Sequence, residues 1–446
     1  MYEEIDPYFI DTSEDGKIPN DGNETSNNLQ LMFSSISRFF EEKDKNNQPK
    51  KILLYCHGGL VSQTKGMDLT KHHYQKMLEN HIYPVYFLWE SDLLNTLKAM
   101  FHTIHTELEN HDLVDQMKQK IQVDRTSPYT DQKKIEDILK EVHQSMTDQP
   151  KSNDSHLAPS LLHEFGDFVE SLAGKIKNEV KVISGELDDT YDKIIQYIAK
   201  HFSILGKHIP DVWAQMKETA KKIFQNGGGG DIFITELLNY FDPGSMEIHI
   251  VGHSAGSIVL STLLNRLNEK DPKLQGLKIK SCTLMAAACT ETLFNEVYLP
   301  AIQNQIIENF FLYTLNDELE RDDTCWEIFY RKSLLYAISE CLEPTLEPEK
   351  IIGMEIYAEK NEFINRLKDS KQMYKWIISN GCRPADPMKV EFIGSEGSFE
   401  LISKDKNHGG FSQDIYTMNS VIKSIVGYDN IVPFIPDDEF FSDPCK

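Results

Sequence analysis

Residues 246–260 read M-E-I-H-I-V-G-H-S-A-G-S-I-V-L, and no other stretch of the chain limits its fold so much. Ile248, Ile250 and Val251 form an apolar strand. It runs into Gly252-His253-Ser254-Ala255-Gly256 and then into an apolar helix over 257–267. Glycines flank Ser254 because, in so sharp a turn, a side chain at either place would collide with neighbouring chain. The turn lifts the serine hydroxyl out at the top of a sheet. The helix behind it aims its N-terminal N–H groups at that hydroxyl. The expectation is a nucleophile beside a seat for negative charge.

The flanking chain supplies a sheet for such a strand. Residues 7–11 read as a short edge strand and 29–42 as an amphipathic helix. Residues 51–56 form an unbroken apolar strand, the kind buried on both faces of a parallel sheet. It ends in His57-Gly58-Gly59-Leu60, before a helix over 67–80 and a strand over 83–89. Alternation stops there. Between 93 and 224 apolar residues recur at helical spacing, as in Phe165, Val169, Leu172, Ile176 and Val180. The run Gly227–Gly230 lacks the spacing and the lysine of a phosphate-binding loop and reads as a flexible hinge.

From 244 the alternation resumes. Strands are predicted over 247–251, 278–287 and 309–315, with helices over 254–267 and 291–305. A partly helical stretch covers 326–376. One or two strands fall in 390–403, and a last helix covers 411–426. This order predicts an α/β fold with a mostly parallel central sheet and helices on both faces. The core is 1–92 with 241–446, and 93–240 is a helical insertion.

Composition excludes several roles. The chain has 446 residues and a net charge of −24, so it has no electrostatic footprint for nucleic acid and no attraction to anionic membranes. No run of eighteen apolar residues occurs, so no transmembrane segment is predicted. The seven cysteines are odd in number and widely spaced, without a C-x-x-C. They read as buried thiols of a reducing compartment rather than a disulfide framework. The acidic N-terminus has no signal-peptide pattern. The expected location is the cytoplasm, or outside the cell by a route without a classical signal peptide.

With its strand, its serine turn and its helix, the sequence resembles the α/β-hydrolase superfamily, and Ser254 falls on that family's nucleophile position. The resemblance covers about 50–92 and 244–427. It implies an α/β-hydrolase fold with 93–240 as a helical cap. It also implies a triad in the chain order serine, acid, histidine, with each later member just beyond a strand's carboxyl end. The acid is then Asp317, directly after the 310–315 strand. Glu318, Asp322 and Asp323 are its rivals, and a solvated loop charge or helix cap is the plain alternative for each. The base is His408, the one histidine C-terminal to the acid. The oxyanion donors implied are the Ala255 N–H and one from the H-G-G-type loop, Gly59 first and Leu60 next. The sequence departs from the family in placing its insertion before the nucleophile strand and in the long interval from Asp317 to His408.

The expected activity is a serine hydrolase acting on a carboxylic ester, with lipid or other acyl esters preferred because of the cap. Thioesterase, acyltransferase or peptidase chemistry shares the same groups, and a non-catalytic binding protein on this fold is the other class. The expected partner is a small-molecule ester or lipid, with transient membrane contact through the cap. No cofactor or metal is expected: His102, His105 and His111 lie in a helical stretch without a third ligand at suitable spacing. Trp89-Glu90-Ser91 ends a strand on the expected active face, where the tryptophan either lines a pocket or fills the core.

Overall fold

The computed structural model of the chain describes residues 4–19, 23–45, 48–59, 61–89, 93–110, 139–140, 142–144, 168–172, 187–323, 330, 332–345, 347–360, 373–382, 390–393, 401–437 and 440–445. Eight strands form one sheet. They are β1 (Phe9–Thr12), β2 (Lys50–Cys56), β3 (Ile82–Trp89), β4 (Met246–His253), β5 (Ile279–Met285), β6 (Ile307–Leu315), β7 (Met373–Ser379) and β8 (Val390–Ile393). Their order is β1-β3-β2-β4-β5-β6-β7-β8. The first seven are parallel, and β8 pairs antiparallel with β7. The α/β class with a parallel sheet is therefore as the sequence predicts.

Burial explains the strand sequences. Every residue of β3 and all but the first of β2 are buried. Successive side chains point to opposite faces, so both faces are covered. An unbroken apolar run is what such a strand requires, and an alternating one would place polar groups in the core.

The strand order creates one special place. From β2 the chain steps outward to β3, and from β4 it steps the other way to β5. β2 and β4 are neighbours, with Cys56 opposite Gly252. Loops leaving their carboxyl ends therefore diverge and open a crevice, the usual ligand position in an open α/β sheet. The loop from His57 and the turn at Ser254 both lie there.

Two local expectations differ. The strand β7, M-Y-K-W-I-I-S, lies partly inside the stretch read as helical. Its aromatic and β-branched residues suit a strand, but Lys375 at its centre hides the pattern, and that lysine is buried. The run Gly227–Gly230 is no hinge. Gly228 precedes the helix Gly229–Tyr240, and a β-carbon there would stand 2.2 Å from the Lys222 carbonyl oxygen. The Gly229 N–H donates to Gly16 O (2.8 Å) and the Gly230 N–H to Ile223 O (2.9 Å). At Gly228 backbone packs on backbone and leaves room only for glycine, while Gly227 beside it has open space and a left-handed φ of +85°.

The chain divides into two compact units. The first holds Met1–Ser91, Met216–Asp323 and Lys350–Lys446, including the whole sheet. The second holds Asp92–Gln215 and Thr324–Glu349. The division differs from a single insertion over 93–240. Residues 216–240 go with the sheet because Phe233 of their helix packs on Phe87 of β3 and on Phe33. Residues 324–349 go with the second unit because a buried polar network ties them to its helices. The Gln196 amide donates to Tyr330 Oη and to the Glu340 carboxylate, Tyr330 Oη donates to Glu340 Oε2 (2.9 Å), and Trp213 Nε1 donates to Glu343 Oε1 (2.7 Å). A second excursion of this kind leaves no compositional mark in the sequence.

The cysteine reading is corrected at two positions. Cys56, Cys282, Cys289 and Cys341 are buried thiols, but Cys382, just past β7, is bridged to Cys445 across 63 residues of sequence. Closing a loop of that length restricts the unfolded chain. Cys382→Ser is expected to lower the unfolding free energy by about 2–4 kcal/mol, read as a lower urea midpoint under non-reducing conditions. Equal midpoints for the two proteins would count against the bridge.

Candidate active site

Ser254 sits directly after β4 with φ +51°, a left-handed conformation that residues other than glycine seldom adopt. Its own N–H donates to Met285 O (2.9 Å), and its carbonyl accepts from Ser257 N (3.0 Å) and Ala288 N (3.1 Å). The helix Gly256–Asn268 follows at once, with Ala255 at its N-cap. The flanking glycines are required sterically. A β-carbon at Gly256 would lie 2.0 Å from Cys56 O, and one at Gly252 would lie 3.0 Å from Gly256 C, Ser257 N and Leu260 Cδ1.

His408 meets this serine: its Nε2 lies 2.9 Å from Ser254 Oγ. Both side chains are buried. The histidine loop is anchored by groups that sequence reasoning did not single out. Asp405 Oδ1 accepts from the N–H of Lys406 (2.8 Å) and of Asn407 (3.4 Å), and the Asp405 carbonyl accepts from Ser379 Oγ at the end of β7 (2.7 Å). Burial, with Asp414 and Asp323 nearby, pushes the Asp405 carboxyl well above the usual carboxylate range.

The acids separate. Asp317 opens the short helix Asp317–Asp322; its carboxylate accepts from Arg321 Nε (2.9 Å) and its N–H donates to Glu355 Oε2 (2.7 Å). Asp322 ends that helix, exposed. Asp323, the next residue, accepts the His408 backbone N–H at Oδ2 (2.7 Å). The structure thus brings Ser254, His408 and Asp323 together and does not bring Asp317 to the histidine. The reason is local: with Asn316 as N-cap, the chain winds through a helix after β6 before it passes His408. Among the described residues none hydrogen-bonds His408 Nδ1, which is buried.

The H-G-G loop lies against the serine turn. A β-carbon at Gly58 would stand 3.2 Å from Ser254 Cβ and 3.7 Å from its Oγ, and one at Gly59 would stand 3.2 Å from both Ala255 Cβ and Trp89 Cη2. Leu60 lies outside the described residues. The Ala255 N–H is among those that a helix start leaves without an intrahelical acceptor. His57 shapes the loop. Its Nε2 accepts the Trp89 backbone N–H (3.3 Å), so the proton is on Nδ1, which donates to Gly58 O (2.8 Å). Trp89 returns its indole N–H to His57 O (3.3 Å) and stacks on the imidazole. Trp89 is therefore a buried brace of this loop, while Glu90 and Ser91 lie outside the described residues.

Three buried histidines meet here, and burial holds each toward its neutral form. It pushes His57 down to about 4, partly offset by the Gly58 carbonyl. It lowers His253, against the His408 carbonyl. It drives His408 well below the usual histidine value, with His253 adding to the effect. A neutral imidazole 2.9 Å from a hydroxyl can accept its proton, and that is the chemistry the geometry permits.

Elsewhere, His105 is buried and pairs with Glu109 (3.2 Å), and His111 lies outside the described residues. Among the described residues no His, Cys, Asp and Glu cluster is placed to hold a metal ion, and no helix is long and apolar enough to cross a membrane. Comparison with known proteins finds no matching family model, no matching curated protein and no matching solved structure.

Proposed function

We propose that the protein is a serine ester hydrolase of the α/β-hydrolase type, acting through Ser254 and His408. The observation that carries this reading is the 2.9 Å contact between His408 Nε2 and Ser254 Oγ, at a strained strand-to-helix turn beside the Gly58-Gly59 loop. In this reading His408 Nε2 takes the hydroxyl proton as Ser254 Oγ bonds to the ester carbonyl carbon. The tetrahedral oxyanion is received by the N–H groups of Ala255 and Gly59. Its collapse breaks the ester C–O bond, and His408 returns the proton to the departing alcohol. Water then repeats the sequence on the acyl-enzyme and releases the acid.

The preferred substrates are acyl esters, lipid esters among them. The same steps with a thiol or amine leaving group, or with an alcohol in place of water, describe the thioesterase, peptidase and acyltransferase variants. The Cys382–Cys445 bridge supports the exported location over the cytoplasmic one, because such bridges persist in oxidising compartments.

The test is a fluorophosphonate probe on the native protein, with nitrophenyl esters of increasing chain length as substrates. Labelling at Ser254 with turnover is expected, and no labelling would sink the reading. A rate falling steadily beyond two-carbon acyl groups would remove the lipid preference. The pH profile follows from burial. A base must be neutral to act, so kcat/KM should fall only as pH drops through the His408 value, which lies below 6.5. A limb at or above pH 6.5 would contradict this assignment.

A further inference from the structure

We propose that His408 is held over Ser254 through its main chain, by Asp323 on one side and His253 on the other, a statement that rests on the esterase reading above. The His408 N–H donates to Asp323 Oδ2 (2.7 Å), and the His408 carbonyl accepts from His253 Nε2 (2.9 Å). Both peptide groups of the base are thereby committed. Its Cα is pinned, and two side-chain torsions remain to carry Nε2 to the serine oxygen.

Both holders are themselves fixed. Asp323 caps the helix Asp317–Asp322, with its own N–H on Leu319 O (2.8 Å). His253 is the last residue of β4, in register with Met285 of β5. It immediately precedes Ser254. One strand end therefore sets both sides of the catalytic gap: His253 grips the base and Ser254 faces it. His253 must carry its proton on Nε2 to donate. Its ring lies 5.6 Å from that of His408 and 6.2 Å from that of Phe411, packing that leaves little room to turn away.

This arrangement differs from a carboxylate on the imidazole. An acid bonded to Nδ1 selects the tautomer and stabilises the charged ring. Here the carboxylate meets the peptide N–H, and among the described residues none hydrogen-bonds Nδ1. Asp323 and His253 are positioning residues: neither touches the reacting atoms, and each acts through where it holds His408.

The two roles respond differently to conservative substitution. Asparagine at 323 keeps an acceptor for the peptide N–H and loses the charge. Glutamine at 253 keeps a donor near the place of Nε2. With nitrophenyl acetate, Asp323→Asn and His253→Gln are expected to stay within about tenfold of wild-type kcat. Asp323→Ala and His253→Leu should lose on the order of 10²-fold in kcat with KM little changed, the scale of an ångström-sized misplacement. Amide exchange over 405–411 reads the same clamp without any activity. The His408 N–H should be protected in the wild type and in Asp323→Asn, and exchange faster in Asp323→Ala. Asp323→Asn falling as far as Asp323→Ala, by about 10⁴ with His408 still protected, would overturn the clamp and make Asp323 a charge acting on the ring. Wild-type kcat and protection in both alanine and leucine variants would overturn it as well. If the wild type shows no turnover or labelling, the esterase reading fails, and amide exchange alone decides whether the clamp exists.

Discussion

Ser254→Ala is expected to lower ester turnover by about 10⁵–10⁶-fold, the scale seen when a hydrolase loses its nucleophile. The loss is large because no neighbouring group replaces the oxygen that bonds to the carbonyl carbon. His408 would remain in place through its main-chain bonds to Asp323 and His253. The Gly58-Gly59 loop would keep its brace from His57 and Trp89. A small residual rate over water is therefore expected from the oxyanion donors and binding. The fold should be unaffected, because the side chain contributes one hydrogen bond at the site. The measurement is kcat on nitrophenyl acetate beside a thermal unfolding curve. Turnover within tenfold of wild type in a folded Ser254→Ala would show that the serine is not the nucleophile.

Gly256→Ala should have the largest effect on stability, about 3 kcal/mol or more. Its β-carbon would stand 2.0 Å from Cys56 O, 2.8 Å from Cys56 C and 3.1 Å from His57 O. All three atoms are backbone, at the carboxyl end of β2, where Cys56 pairs with Gly252 of β4. Neither strand can retreat without opening the centre of the sheet. Gly244→Ala is the control: its new β-carbon meets only the end of the Asp242 side chain at 3.1 Å, which can swing aside. It should shift stability by less than about 1 kcal/mol. Comparable urea midpoints for the two variants would mean that the serine turn is looser than this contact implies.

Legibility followed the range of the interactions. β2 and β3 can be read directly because burial on both faces leaves an apolar run, and β4 because Ile248, Ile250 and Val251 lead into the serine turn. β7 escaped because tertiary packing carries Lys375 into the interior, which no local preference signals. Gly228 is not distinguishable from a linker glycine in the sequence because a close backbone approach and a flexible linker call for the same residue. That His408 meets Ser254 is legible from the chain order that the resemblance implies. Asp323 was only one of several acids, since the turns of helix between β6 and the histidine decide which carboxylate arrives there. His253 and His57 had no signal beyond lying inside the two motifs.

Local steric demands settle the core of this protein from its residues: a strand, a turn only glycines can flank, and an α/β sheet to hold them. Those demands act over a few residues, so the order of residues carries them. The partners of His408, the bridge from Cys382 to Cys445 and the return of 324–349 to the second unit were decided in three dimensions. Each depends on where distant segments meet, which packing of the whole chain determines and local sequence does not encode.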